Sequence, residues 1–454
     1  MPRLRGRRRR CGGDGVSSAR TRHARPAGRS GASARRRPWW RAGGAALVAG
    51  VLALSGAAPA QADTVRDLQY WLNDYGFTQA WTMSRGDDVT VAIIDTGVNG
   101  DVAELEGVVI GGTDVSGIGS PDGQAPVGEE EEHGTMVASL LAGRGTGEGN
   151  GVIGVAPDAD LLTASVAFGL ETGADKTNDE QIAEAVVWAV DNGADVINMS
   201  LTRNTPDWPE SWDDAFLYAF EHDVVVVAAA GNRGSGTTQV GAPATIPGVL
   251  AVAGVDRDQN ASFDASSQGI TIAVAAPSED LVGVLPDGSH VVWSGTSAAA
   301  PLVSGLVALV RAAYPELDAA NVINRIIRTA DPKGEEVPGP LYGYGIIDPV
   351  AALTAEVEAV EQNPLGSLEE WIHVHRRADL PSADGAEGAD DQEIVPIADP
   401  PAPRADSAKT LLPTPWTMSY ITVPLSLVAG FGTLAALLGI GATRHIRRST
   451  RSDA

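Results

Sequence analysis

Six apolar runs divide the middle of the chain into regular segments. Each run is six or seven residues long and is dominated by valine, isoleucine, leucine and alanine, with little alternation between apolar and polar positions. Continuous apolar runs of this length are typical of parallel strands that are covered on both faces. The predicted strands are residues 89–94, 161–166, 196–201, 224–230, 249–255 and 270–275.

Helical patterns lie between these runs. The clearest one covers residues 179–191, where Asn178 and Gln181 have the spacing of a capping box and Gly193 marks the stop. The other predicted helices cover residues 136–142, 298–310, 317–330 and 349–358. Alternating strands and helices predict an α/β fold over residues 89–360, in which a doubly wound, mostly parallel sheet carries helices on both faces.

The segments before and after this domain have different patterns. Residues 1–62 combine an arginine-rich stretch, a short apolar run and small residues at the end, which predicts a signal peptide with a long basic n-region. Residues 63–88 form a short lead-in with helical spacing and two tryptophans, Trp71 and Trp81. Residues 361–416 lose periodicity and are rich in Pro, Ala, Asp and Glu, which predicts an acidic linker.

A second long apolar run lies near the end of the chain. Residues 420–442 contain no charged side chain, and this length is sufficient for a helix to cross a hydrocarbon core of about 30 Å. A basic tail follows at residues 443–454. The positive-inside rule then predicts a cytoplasmic tail and a folded domain on the extracytoplasmic side of the cell membrane, anchored by a single transmembrane helix.

The charge distribution is strongly asymmetric. Residues 1–62 hold 14 of the 33 Lys and Arg residues and one of the 58 Asp and Glu residues. The remainder therefore carries 19 basic and 57 acidic residues, a net charge of −38. This strongly negative part of the chain repels nucleic acid, which excludes nucleic acid as a partner. The single cysteine, Cys11, lies in the predicted signal peptide, so the exported chain would have no disulfide and no thiol nucleophile.

Four polar residues stand at the ends of predicted elements. Asp95 and Asn232 each follow a strand. His133 and Ser297 each precede a helix. Functional side chains of open α/β sheets gather at the carboxyl ends of strands, so we expect these four to converge.

This set of residue types predicts acyl transfer. Serine is a weak nucleophile, so Ser297 needs a base, and His133 can take its proton while Asp95 fixes the imidazole tautomer. The Asn232 amide and the Ser297 N–H would donate to the oxyanion. Taken alone, Ser297 is equally compatible with a role as the cap of its helix.

The other histidines are interpreted as leader, surface, linker or tail residues because none precedes a Gly-Thr entry into a helix. They are His23, His222, His290, His373, His375 and His445.

Motifs around the four residues resemble those of the subtilisin-like serine proteases. They are Asp95-Thr96-Gly97, His133-Gly134-Thr135-x-Val137-Ala138, Ala229-Ala230-Gly231-Asn232 and Gly295-Thr296-Ser297-x-Ala299-x-Pro301. The order Asp, His, Ser is that of subtilisin and differs from the order in chymotrypsin or the α/β-hydrolases. The resemblance covers residues 80–358 and implies a serine endopeptidase that needs no cofactor.

The resemblance also implies where the substrate binds. In that family, the positions of Ser200, Leu201 and Thr202 line the primary specificity pocket. The positions that match Ala229, Ala230 and Gly231 line it as well. The family usually has glycine where this chain has Thr202, which implies a narrowed or reshaped pocket mouth.

The layout of the chain further resembles a mycosin, a membrane-anchored protease of type VII secretion. The shared features are a signal peptide, a subtilase domain, a Pro-rich stalk and a C-terminal span. Mycosins usually carry disulfide cysteines and an aromatic residue after the catalytic serine, whereas this chain has Ala298 there. The implied partners are protein or peptide substrates, the membrane and type VII secretion components. The alternatives are a general degradative anchored subtilase and a mainly structural component of a secretion complex.

Two acidic segments are open to more than one interpretation. Residues 129–132 are four consecutive glutamates that lead into His133 and are typical of a solvated loop. As an alternative, the cluster favours basic substrate segments and raises the pKa of His133. Residues 256–260 could hold calcium, but a surface loop is favoured and no metal is assigned.

Overall fold

A computed structural model describes residues 64–169, 172–333 and 335–376. The predicted signal peptide, transmembrane helix and basic tail, and most of the predicted linker, lie outside these residues. The strands are β1 (Thr90–Asp95), β2 (Val109–Asp114), β3 (Asp160–Ser165), β4 (Val196–Met199), β5 (Val225–Ala229), β6 (Leu250–Val255), β7 (Ile272–Pro277), β8 (Leu281–Val284) and β9 (His290–Trp293).

Helices occupy most of the connections between these strands. They are α1 (Thr64–Leu68), α2 (Tyr70–Asp74), α3 (Phe77–Ala80), α4 (His133–Ala142), α5 (Asn178–Asp191), α6 (Ser211–Glu221), α7 (Thr296–Ala313), α8 (Ala319–Thr329), α9 (Pro349–Thr354) and α10 (Leu368–His375).

Seven of the strands form one parallel sheet in the order β2–β3–β1–β4–β5–β6–β7, and β8 pairs with β9 as an antiparallel hairpin. The predicted α/β class and mostly parallel sheet are therefore confirmed. The chain leaves β1 towards β2 but leaves β4 towards β5. The carboxyl ends of the neighbouring strands β1 and β4 thus flank a topological switch point, where open α/β sheets bind their ligands.

The sheet separates two pairs of helices. Helices α4 and α7 pack against each other and the sheet, as do α5 and α6. The connection from β2 through α4 to β3 and the connection from β3 through α5 to β4 move the chain in the same direction across the sheet. They lie on opposite faces of the sheet, so one crossover is right-handed and the other is left-handed. One of the two therefore departs from the usual right-handed crossover, and this departure puts α4 on the same face as α7.

Helix α7 is the central helix of the core. Fourteen of its residues are buried, among them an unbroken run from Ala298 to Val310, and it packs on five strands of the sheet. Within the described part of the chain it is the one helix long and apolar enough to span a membrane. Because most of it is buried inside the domain, its apolar character reflects the core.

Several element ends differ from the sequence predictions. The seventh strand begins at Ile272 rather than at Ile270, which is 84% exposed. The capping box of α5 is formed by Thr177 and Glu180, one residue earlier than predicted, because a threonine hydroxyl and a glutamate carboxylate satisfy the first N–H groups. Gln181 is instead buried and accepts a hydrogen bond from the Ala167 N–H. Strands β2 and β8 were not predicted.

The lead-in packs on the domain. Trp71 and Phe77 are fully buried in the common core. The Gln69 amide exchanges two hydrogen bonds with the backbone of Ile153, and Trp81 Nε1 donates to Val155 O at 2.8 Å. Among the described residues, no hydrogen bond joins the lead-in to the residues predicted to be catalytic.

Residues 361–376, predicted as the start of the linker, fold as part of the domain. Helix α10 places Trp371 against Trp208, with ring centroids 4.3 Å apart. Arg376 then donates from Nε to Asp213 Oδ2 at 2.8 Å and from Nη2 to Trp208 O at 3.1 Å. Trp371 and Arg376 therefore make internal contacts of the domain.

Candidate active site

Strand β1 and helix α4 bring Asp95 and His133 together. Asp95 is the last residue of its strand and is 1% exposed, and His133 is the first residue of its helix. The His133 Nδ1 atom lies 2.8 Å from Asp95 Oδ1 and 3.0 Å from Asp95 Oδ2. A carboxylate in this position requires a proton on Nδ1, which leaves Nε2 as the acceptor of the neutral ring.

The backbone around this pair is locked by Thr96. Its hydroxyl oxygen accepts from the Gly134 N–H at 3.0 Å and donates to Glu131 O at 3.1 Å, so it joins the end of β1 to the start of α4. Gly134 is required here because a Cβ would lie 2.3 Å from Gly97 O. The close approach of these two segments determines where His133 sits.

Charge around the imidazole changes its proton affinity. Burial opposes protonation of the imidazole, but the nearby Asp95 carboxylate favours protonation and outweighs burial. The carboxylates of Glu130 and Glu132 also favour protonation, so the pKa of His133 is raised above its usual range. All four glutamates of residues 129–132 are exposed, in agreement with the solvated-loop interpretation. The alternative interpretation, that these glutamates raise the pKa of His133, has the correct direction for Glu130 and Glu132.

Trp293 is a part of the site that the sequence analysis missed. Its ring meets the His133 ring edge-on, with centroids 5.5 Å apart. Trp293 ends β9, four residues before Ser297, so it connects the histidine to the segment that carries the serine. Its apolar strand pattern gave no signal of this contact.

Ser297 lies in the first turn of α7, beside the segment that follows β4. Its hydroxyl donates to Ser200 O at 3.0 Å. Among the described residues Ser297 Oγ makes no hydrogen bond with His133. In return, the Ser200 hydroxyl donates to Ser297 O at 2.8 Å. The Ser297 carbonyl can accept this bond because residue 301, which would bond to it within the helix, is a proline without an N–H.

Asn232 is held by the turn that precedes Ser297. Its Oδ1 accepts from the Thr296 N–H at 2.8 Å and from the Thr296 hydroxyl at 3.0 Å. A backbone N–H can only donate, so the side-chain oxygen must face it and Nδ2 must face away. Nδ2 has no hydrogen-bond partner in the described part of the chain. Gly295, at φ +153°, makes room for it, because a Cβ there would lie 3.0 Å from Nδ2.

The predicted pocket residues lie where two neighbouring strands end. Ser200, Leu201 and Thr202 follow β4 directly. Ala229 ends β5 and leads into Ala230 and Gly231. The Gly231 N–H donates to Thr296 Oγ1 at 3.0 Å, so this segment is tied to the turn that carries the serine. The structure therefore brings both segments to the same edge of the sheet as Ser297.

Other predicted positions lie elsewhere. His290 is exposed, in agreement with its interpretation as a surface residue, and its Nε2 lies 2.7 Å from an oxygen of Glu104, which is only 2% exposed. Asp256 accepts from the Asn260 N–H at 2.8 Å and closes its own loop. Across the described ranges, no group of three or more His, Cys, Asp or Glu side chains has a metal-binding arrangement.

The chain is similar to known proteins over the domain that carries this site. It matches the Subtilase family over residues 86–345. It is 38% identical to subtilisin DY of Bacillus licheniformis over 272 residues, which are 59% of this chain and 92% of that protein. It is 35% identical to Mycosin-1 of Mycolicibacterium smegmatis over 343 residues, covering 63% of this chain and 73% of that protein.

Solved structures agree with these similarities. The crystal structure of MycP1 from Mycobacterium smegmatis matches with a TM-score of 0.55 and 32% identity, over 65% of this chain and 87% of that chain. The resemblance to subtilisin-like proteases, and to mycosins among them, is thus confirmed. The chain belongs to the subtilase family and is a serine endopeptidase.

Proposed function

We propose that Ser297, His133 and Asp95 cleave peptide bonds through an acyl-enzyme. Ser297 Oγ attacks the carbonyl carbon while His133 Nε2 takes its proton. Asp95 holds Nδ1–H and stabilises the imidazolium that forms. His133 then gives the proton to the leaving amine, and water repeats the sequence to release the acyl product and restore the Ser297 hydroxyl.

Asn232 and the first turn of α7 stabilise the oxyanion. The N–H of Ser297 has no intrahelical acceptor because it belongs to the first turn. The Asn232 Nδ2 donor is held in place by the two bonds that Thr296 makes to Oδ1. Donors that are already oriented require no reorganisation when charge develops on the carbonyl oxygen.

One observation carries this proposal. The buried Asp95 carboxylate lies 2.8 Å from His133 Nδ1 and sets the imidazole tautomer, and the ring packs on Trp293, which leads to Ser297.

Fluorophosphonate labelling of the full-length protein tests the proposal. We expect one label per chain, lost in Ser297→Ala and retained in Ser294→Ala, which removes an exposed hydroxyl from the same turn. Peptide mapping locates the label. Equal labelling of the two variants would contradict the assignment of Ser297.

We further propose that the enzyme is a mycosin-type protease of the cell membrane that acts on the extracytoplasmic side, together with type VII secretion components. Its similarity to Mycosin-1 and MycP1 supports this, since one MycP1 structure is described as coming from the ESX-1 type VII secretion system. The uncharged residues 420–442, followed by a basic tail, support the anchor.

Membrane extraction, protease accessibility, substrate accumulation and secretion on deletion test this proposal against its alternatives. Carbonate extraction should leave the full chain in the membrane but release a chain that lacks residues 420–454, and an external protease should degrade the domain in intact spheroplasts. Substrates accumulating in Ser297→Ala cells should be a few exported proteins. A broad rise in the amounts of envelope proteins in Ser297→Ala cells would favour a degradative protease. Secretion that is normal in Ser297→Ala cells and is lost only when the whole protein is deleted would favour a structural component.

A further inference from the structure

We propose that a cavity between the lead-in and the C-terminal part of the domain binds an organic cation that has a guanidinium head and an aliphatic stem. The cavity has a volume of about 340 Å³, and sites for small ligands have volumes of about 300–1,000 Å³. One side is formed by residues 73–79 of the lead-in, and the other by the loop after β6 and the segments around α9. None of the proposed catalytic residues lines this cavity, so the site is independent of the proposed function.

Three carboxylates line the cavity. Asp74 ends α2, Asp331 follows α8 and Asp348 directly precedes α9. Asp331 Oδ1 accepts the Lys333 N–H at 2.9 Å, and Asp348 Oδ1 accepts the Ala351 N–H at 2.8 Å. In the part of the chain that the structure describes, their other oxygens and both oxygens of Asp74 have no hydrogen-bond partner, and none of the three carboxylates forms an ion pair. The cavity therefore presents negative charge that the described residues leave uncompensated.

The two basic side chains nearest to these walls are engaged elsewhere. Lys333 Nζ donates to Gln259 Oε1 at 2.9 Å. The guanidinium carbon of Arg257 lies 4.4 Å from the centre of the Tyr70 ring. Neither basic residue lines the cavity. An incoming cation would therefore meet the carboxylates without having to displace an ion pair.

The hydroxyl of Tyr75 is a second and independent feature of the cavity. Tyr75 forms part of the wall and is 7% exposed, and its Oη atom is buried without a hydrogen-bond partner among the described residues. Burial raises the pKa of Tyr75, and the carboxylates of Asp256 and Asp74 raise it further. These two carboxylates belong to opposite sides of the cavity, the loop that carries Gln259 and the end of α2, so the hydroxyl lies between them. A buried hydroxyl without a partner costs free energy, which a ligand that reaches it would recover.

This combination of groups favours one class of ligand. Across the described ranges, no group of three or more His, Cys, Asp or Glu side chains has a metal-binding arrangement, so the three carboxylates are not placed to share one metal ion. A guanidinium instead presents five N–H donors in a rigid plane and can reach acceptors that lie in different directions. The side chains of Ile346, Ile347 and Val350 complete the wall and can cover a methylene stem. The same group can come from a free small molecule or from an arginine side chain of a peptide.

Calorimetric titration of the full-length protein tests the proposal with matched pairs of probes. We expect one butylguanidinium to bind per chain with a Kd of about 1 mM or tighter. Butylurea has the same shape without the charge and should bind at least about tenfold more weakly. Blocked arginine and blocked citrulline form the corresponding peptide-like pair. Tighter binding of blocked arginine than of butylguanidinium would assign the site to a peptide, and the reverse order would assign it to a free small molecule.

Variants with a matched control locate the binding. Asp348→Asn keeps an acceptor for the Ala351 N–H but removes the charge, and should raise the Kd for butylguanidinium about tenfold. Asp318→Asn is the control, because Asp318 Oδ1 accepts the Asn321 N–H at 2.8 Å and caps α8 in the same way without lining the cavity. It should leave the Kd unchanged.

Tyr75→Phe separates binding from folding. It removes only a hydroxyl that has no partner, so the free protein should be at least as stable in urea denaturation, whereas the Kd for butylguanidinium should rise about fivefold. An unchanged Kd in this variant would contradict the proposal.

Three further results would overturn the proposal. They are the absence of saturable binding by the native protein, equal affinities for butylguanidinium and butylurea, and equal effects of Asp348→Asn and Asp318→Asn. Because none of these measurements depends on peptide cleavage or on labelling of Ser297, their failure would leave the proposed function untouched.

Discussion

The candidate site consists of two halves that are organised in similar ways but by different elements. The base half joins the end of β1 to the start of α4 and contains Asp95 and His133. The acyl half joins the ends of β4 and β5 to the start of α7 and contains Asn232 and Ser297. In each half a buried threonine hydroxyl connects the two segments.

The two halves differ in whether their hydrogen-bonding groups already have the partners that catalysis would require. The base half is complete, because Asp95 already holds His133. In the acyl half Asn232 Nδ2 has no partner among the described residues, and Ser297 donates to Ser200 rather than to His133. Each half is therefore held together by its own hydrogen bonds, and under the proposed mechanism we expect the serine–histidine bond to form when substrate binds, because catalytic bonds are often long in the apo state.

The largest effect is expected from a variant that disrupts the base half. Asp95→Asn should lower kcat by about 10⁴-fold, because an amide stabilises the wrong imidazole tautomer while the geometry persists. Burst kinetics with a chromogenic ester measure the acylation step.

The double variant with Ser297→Ala shows whether the halves act as one unit. We expect it to be no slower than Ser297→Ala alone, since residues that act together are strongly non-additive. Multiplicative losses would contradict a shared mechanism.

A smaller effect is expected from the acyl half. Asn232→Ala should lower kcat by about 10²–10³-fold, or about 2.7–4 kcal/mol of barrier, through loss of one oxyanion donor. Asn232→Asp retains an acceptor for Thr296 but lacks the Nδ2 donor, and should lose at least as much activity. Asp95→Asn and Asn232→Asp enzymes with equal residual rates would show that the two halves contribute alike.

The two threonines allow the most direct comparison. Thr96→Val and Thr296→Val each remove a buried hydroxyl that accepts a backbone N–H, from Gly134 and Gly231 respectively. Each should lower the free energy of unfolding by about 1–3 kcal/mol in urea denaturation.

Their kinetic effects should differ. Thr296→Val removes the hydroxyl bond to Asn232 Oδ1 but keeps the backbone N–H bond, so it should hold the Asn232 amide less firmly and lower kcat without moving the pH profile. Thr96→Val perturbs the His133 backbone and should shift the acidic limb of kcat/KM. If both variants change the same parameter, the separation into halves is wrong.

The smallest effect concerns the glutamates beside His133. The acidic limb of kcat/KM reports the protonation of the free enzyme's base, and the enzyme is active above that pKa. Removing Glu130 and Glu132 stabilises the imidazolium less, so Glu130→Gln/Glu132→Gln should move the limb to lower pH by a few tenths of a unit at low salt. Glu129→Gln/Glu131→Gln is the matched control and should move it less. Equal shifts in the two double variants would indicate a general charge effect.

The fold class followed from the sequence because buried parallel strands are apolar at every position. That signal was strong for β1, β5 and β6. It failed for the edge strand β2, whose run Val-Ile-Gly-Gly-Thr-Asp is only partly buried. The cap of α5 was misplaced because Asn178 next to Thr177 gives two overlapping cap signals, and only the geometry selects between them.

The candidate site was predictable to a different extent. The four polar residues were recognisable because each lies at the end of an element and within a motif. The bond from Ser297 to Ser200 depends on a contact between residues far apart in the chain, which residue type does not encode. The same holds for Trp371, whose surroundings in the sequence are polar but whose partner, Trp208, comes from another segment.

The contact of α10 has a mechanical consequence. Arg376 holds Asp213 of α6 and the backbone of Trp208, so tension applied to the chain beyond residue 376 enters the domain through α6. Helix α6 lies with α5 on the face opposite α4 and α7. We therefore expect a pull from that side to be borne by the layer of helices that carries neither His133 nor Ser297, so that a tether at this end of the domain would leave the candidate site undistorted.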